Sequence, residues 1–193
     1  MTTTHRATIE DLYRVKGKAE LVNGEIVPMP PTGYLPGYAA SEILISLRAY
    51  ERARATGYAI GDNVGFKVYL PNRDSFSPDA AWYTGQTTGM KFLEGAPAFA
   101  VEVRSEWDYG RHAEQELSAK RRDYFAAGTL CVWDVDMQST DVIKAYHADT
   151  PNNPITFRRG DIADAGHAVP GWSMQVDDLF PTKPQTNRYE PAP

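Results

Sequence analysis

The sequence predicts a protein of the α/β or α+β class, a mixed β-sheet with helices packed against it. Two long segments, 37–57 and 111–128, repeat apolar residues at helical spacing. Short runs rich in β-branched and aromatic residues lie between and after them. No linker-like stretch or internal repeat divides the 193 residues. Residues 1–182 therefore read as one domain, and 183–193 as a tail that is disordered by composition.

Taken in order, "TIEDLYRV" begins the chain as a short helix, with Thr8 as N-cap and Asp11 three residues on, a capping box. "AELVNGEIVPMP" is a hairpin, because Asn23-Gly24 supplies the two positive-φ positions of a tight turn between alternating strands. The Pro-rich "PMPPTGYLPG" is a loop. The helix over 37–57 follows, with Ile43, Leu47 and Tyr50 on one stripe and Gly57 as its stop. "YAIG" and "VGFKVYL" are strands, "PNRDSFS" a turn, and "SPDAAWYT" and "APAFAVEVRS" strands again. The second helix, "RHAEQELSAKRRDYFAAG", closes at Gly128 and leads into the strand "TLCVWDVD". "DVIKAYH" and "ITFRR" are shorter and more exposed strands.

Composition narrows the function. Apolar residues make up 42% and charged residues 23%, ordinary for a water-soluble fold. No apolar run approaches a bilayer span, and the N-terminus lacks a signal-peptide core. The single cysteine, Cys131, reads as a small buried hydrophobe and makes a reducing cytoplasm the expected setting. A net charge of −5 argues against coating nucleic acid by bulk charge. It leaves room for a nucleic-acid enzyme, because a bound metal restores positive charge locally.

Glu102 is the first residue that asks for a function. It interrupts the apolar run "FAVEV", where a carboxylate is costly unless paired. Asp79 follows Pro78 in the preceding strand segment, and pairing of the two strands would bring both acids together. Two such carboxylates repel unless a cation lies between them, and magnesium takes one or two carboxylates plus other oxygens. Lys120 lies beside the helix stripe of Leu117 and Tyr124 and can approach from above. Glu20, at the start of the hairpin, is a fourth candidate. Each residue also has a plainer reading: Asp79 as a turn residue, Glu102 in an ion pair with Arg104 or Arg122, Lys120 snorkelling to water.

The ordered set Pro78-Asp79, "VEVRS" (101–105), "AKRRDYFAAG" (119–128) and "VWDVD" (132–136) resembles the Uma2 family, restriction-endonuclease-like proteins of the PD-(D/E)XK nuclease superfamily. "AELVNGEIVPMPPTG" (19–33) and "VPGWSMQVDDLF" (169–180) extend the resemblance over most of the chain. It implies a restriction-endonuclease-like mixed sheet flanked by helices. It also implies a metal-dependent endonuclease cutting phosphodiester bonds, DNA first among nucleic acids, with Mg²⁺ or Mn²⁺ as cofactor and a homodimer as the assembly. Asp79 and Glu102 become metal ligands, and Lys120 and Glu20 catalytic partners. The superfamily motif has a lysine two residues after the glutamate. Here that residue is Arg104, which suits a phosphate contact better than a general base. The alternative is a nuclease fold that has lost its chemistry and binds nucleic acid or protein.

Other chemistries find no support. His5, His112, His147 and His167 show no metal-ligand spacing, and no Walker loop, GxGxxG or GxSxG occurs. Asp134 and Asp136 share one strand face and read as strand-end residues.

Overall fold

Alternation along the strands sets the layers. In the strand Phe99–Val103, Phe99, Val101 and Val103 pack into one apolar cluster, while Ala100 joins a second on the opposite face. Residues 6–182 are described by a computed structural model.

The chain begins with α1 (Ile9–Leu12), whose Thr8–Asp11 capping box is formed in both directions. The hairpin β1 (Ala19–Val22) and β2 (Glu25–Pro28) turns through Asn23 and Gly24, at φ 53° and 76°. α2 spans Tyr34–Arg54, three residues earlier than the sequence predicts. Pro36 lies in its first turn, where a missing N–H costs no helical hydrogen bond. Ala55, at φ 53°, takes the left-handed C-cap expected of Gly57. Gly57 is needed for another reason: a Cβ there would lie 2.7 Å from the Trp82 ring and from the Tyr83 carbonyl.

Strands β3 (Tyr58–Gly61) and β4 (Phe66–Leu70) follow, then β5 (Arg73–Phe76), which corrects the reading of "PNRDSFS" as a turn. β6 (Ala80–Tyr83), the two-residue β7 (Leu93–Glu94) and β8 (Phe99–Val103) lead to α3 (Arg111–Ala126). β9 (Cys131–Val135), β10 (Ile143–His147) and β11 (Ile155–Phe157) complete the main sheet, and β12 (Ile162–Asp164) pairs with β13 (Ser173–Gln175).

The six-stranded sheet runs β11-β10-β9-β8-β6-β3. It is antiparallel except for β8–β9, which α3 connects as a crossover and which makes the sheet mixed. A five-stranded sheet, β2-β1-β5-β4-β7, stands beside it. Ala39, Ile43 and Leu47 of α2 pack on one face of the main sheet, against Trp82, Phe99, Val101 and Trp133. On the other face Tyr124 of α3 packs with Phe66, Phe76, Ala100 and Val132. Glu102 lies in this second layer, between α3 and the hairpin. The expected tail, 183–193, lies outside the described residues. No described helix is long and apolar enough to cross a membrane.

Candidate active site

β6 and β8 pair antiparallel, with Ala80 opposite Val101, and the Asp79 amide donates to the Val101 carbonyl at 3.0 Å. That register carries Asp79 to the end of β8 where Glu102 stands. Asp79 Oδ2 accepts the Val103 amide at 2.8 Å, which fixes the carboxylate against the strand. Glu102 is held from α3: Oε1 accepts the Tyr124 hydroxyl at 2.6 Å and Oε2 the Lys120 ammonium at 2.9 Å. Lys120 and Tyr124 are four residues apart on one helix face, so both reach the same carboxylate. Tyr124 is itself locked by stacking on Phe76, ring centroids 4.0 Å apart.

Glu20 enters from β1. Its Oε1 lies 2.9 Å from the Lys120 ammonium and accepts the Ser77 amide at 2.9 Å, while Oε2 pairs with Arg73. Arg73 also bonds Asp123 of α3 at 2.9 Å. The strand missed in the sequence is thus the one that supports Glu20. A fifth acid, Asp62, ends the β3 segment and meets Lys18 at 2.6 Å; the same ammonium lies 2.7 Å from Asp79 Oδ1. Lys18 is thus the cation between Asp79 and Asp62.

The electrostatics follow from burial opposed by pairing. Burial works against the charge on Lys120, yet Glu102 and Glu20 outweigh it and hold its pKa above the ordinary lysine value. Lys18 behaves alike, burial being outweighed by Asp79, Glu102 and Asp62. For Glu20, burial is overcome by Lys120 and Arg73, and the carboxyl lies below the usual range. Glu102 goes the other way: burial, then the Asp79 and Glu20 charges, raise it against the pull of Lys120 and Lys18. Five carboxylates (Glu20, Asp62, Asp79, Glu102, Asp123) face three cations (Lys18, Arg73, Lys120). With every carboxylate ionised, two negative charges are left over in this cluster among the described residues.

Asp79, Glu102, Lys120 and Glu20 therefore meet in one cluster. Arg104 does not join them as expected. Its guanidinium bonds Asp134 through two nitrogens at 2.7 Å each and also pairs with Glu114, and its side chain is only 4% exposed. A guanidinium enclosed by two carboxylates is a tie between β8, β9 and α3, with little left for a phosphate. Asp134 serves that tie. Glu102 pairs with neither Arg104 nor Arg122. Among the described residues no three acidic, histidine or cysteine side chains form a ready metal cage. A cleft of about 280 Å³ opens beside Asp79 and Asp62, walled by Thr32, Gly37 and Ser41 around the first turns of α2.

The fold has a solved counterpart. A crystal structure described as "a putative nuclease belonging to DUF820", from Anabaena variabilis ATCC 29413, superposes with a TM-score of 0.70, covering 90% of this chain and 97% of that one at 14% identity. No curated protein matches the chain. The profile of the Uma2 family, described as "Putative restriction endonuclease", matches residues 7–177. Together with the ordered motifs now gathered around Glu102, this coverage places the chain in the Uma2 family, with a restriction-endonuclease-like fold.

Proposed function

We propose that this chain is a metal-dependent endonuclease that hydrolyses phosphodiester bonds in nucleic acid, with DNA as its substrate. The observation that carries the reading is the meeting of Asp79 and Glu102 in one cluster, Asp79 paired with Lys18, Glu102 with Lys120, and a cleft open beside Asp79. The donor set suits a hard divalent cation: all oxygen, two rigid carboxylates, and two uncompensated negative charges in the surrounding cluster. Asp79 and Glu102 would hold Mg²⁺ or Mn²⁺. Such an ion supplies charge neutralisation at the scissile phosphate and a lowered pKa for an attacking water.

The chain's own residues do the rest. Tyr124 and the Val103 amide orient the two ligands, so little reorganisation is needed when the phosphate arrives. Lys120 stays an ammonium between Glu102 and Glu20, so it neutralises charge growing on the phosphate oxygens and does not act as the base. Glu20, held by Arg73 and the Ser77 amide, keeps Lys120 in place. In-line attack with departure of the 3′ oxygen would leave a 5′-phosphate. Cutting both strands of a duplex in one encounter suits two such sites, so a homodimer belongs to the same reading, and sedimentation velocity measures it.

Incubation with plasmid DNA under Mg²⁺ or Mn²⁺ is the test. Nicking or linearisation that disappears with EDTA and in Asp79→Ala is expected; equal cutting by Asp79→Ala and the parent would refute the assignment. The enclosed Arg104 favours a second reading, an inactive nuclease-fold module. Absence of any magnesium heat in calorimetry would select it.

A further inference from the structure

The cluster contains two cations that the resemblance does not predict, and of these Lys18 is the one that touches Asp79. Lys18 sits just before β1, with its backbone tied into the hairpin by the Met29 amide at 2.9 Å and Gly17, at φ 96°, preceding it. Its ammonium touches Asp79 Oδ1 and Asp62 Oδ1, and Glu102 also acts on it. It thus stands on an oxygen of the carboxylate that the proposed reading gives to a divalent ion. Lys18 and such an ion repel each other and therefore compete for Asp79 Oδ1.

Resting on that reading, we infer that Lys18 is a positioning residue that fills the cation position at Asp79 until a divalent ion displaces it, and then stays on Asp62 facing the cleft. Asp62 makes the move short. Its side chain is 49% exposed, that of Lys18 only 14%, so a shift along Asp62 carries the ammonium outward without leaving a carboxylate. Asp62 and Asp79 both border the cleft, and the displaced ammonium would there face a nucleic-acid phosphate. Two ammoniums then divide the work: Lys120 is fixed between Glu20 and Glu102, whereas Lys18 exchanges places.

Two measurements test this without using cleavage. In calorimetry with Mn²⁺, Lys18→Met should bind at least about tenfold more tightly than the parent, since a competing charge is gone. The gain should vanish in Lys18→Met combined with Asp79→Ala. Lys67→Met, which removes a lysine paired with Glu94 elsewhere, should leave affinity near the parent value. Unchanged or weaker binding by a folded Lys18→Met overturns the inference. The second measurement uses the unmodified protein. Acetylation followed by mass spectrometry should show Lys18 protected without metal and several-fold more reactive with Mn²⁺, while Lys120 stays protected. Lys18 reactivity that is flat or falls with saturating Mn²⁺ overturns the inference even if the variant does not fold. Failure of the metal reading looks different: Mn²⁺ then binds neither the parent nor Lys18→Met, or binds Asp79→Ala as well as the parent, and both proposals fall.

Discussion

A buried carboxylate in an apolar strand is tolerable when each oxygen has a donor, and Glu102 meets that condition through Tyr124 and Lys120. The Tyr124 hydroxyl is the more informative partner, because the ring remains stacked on Phe76 when the oxygen is removed. Tyr124→Phe should lower unfolding stability by about 2 kcal/mol, the range of a hydrogen bond to a charged group. Urea denaturation with an unchanged midpoint would show that the hydroxyl contributes nothing. Removing Asp79 relieves its repulsion with Glu102, but the loss of its own partners outweighs that gain. Asp79→Ala strips a partner from both Lys18 and the Val103 amide, so it should cost stability. Cys131, fully buried, has its thiol pushed well above the ordinary range by burial, with Asp164 adding to it. Iodoacetamide should leave it unmodified in the folded protein and label it only after denaturation.

Between elements, the ties are ionic as much as apolar. Arg104 joins β8 to β9 through Asp134 and to α3 through Glu114. The hydrogen bond from Arg104 holds the Glu114 carboxyl below its ordinary value. A depressed carboxyl adds stability above its unfolded pKa, and that stability is lost as pH falls through the folded value. Glu114→Gln should therefore flatten the acid limb of the stability–pH curve below about pH 4.5, the ordinary glutamate value. A limb identical to the parent's would remove this pair from the account. The same elements show what the sequence makes legible. Periodicity reveals α2, α3 and the apolar strands β6, β8 and β9, because burial of one face leaves a repeating pattern. The capping box and the Asn-Gly turn are equally plain. "RDSF" hides β5, since Arg73 and Ser75 look like loop residues until their partners are known: Glu20 and Asp123 for the first, the Leu21 amide for the second. Glu102 announces itself by being out of place. Lys18, Asp62 and Arg73 do not, because a lysine or aspartate beside a turn is ordinary in any sequence.

At the scale of the whole molecule, the leftover charge is the argument. The hairpin, β3, β5, β6, β8 and α3 each send a charged side chain to one place, and the sum is two negative charges in a partly desolvated cluster. Such an imbalance opposes folding, and a divalent cation that binds only the folded chain offsets it. Magnesium at about one hundred times its dissociation constant should add about 2.7 kcal/mol of stability. For a chain of this size that is a rise of about 5–10 °C in melting temperature. EDTA should reverse the rise, and Asp79→Ala and Glu102→Ala should each abolish it. Sodium chloride at matched ionic strength should not reproduce it, because screening weakens repulsion without occupying a position. If salt alone gives the same shift, the charge imbalance is a diffuse property of an acidic protein. A shift that needs magnesium and both carboxylates assigns it to one place, where six elements from distant parts of the sequence converge.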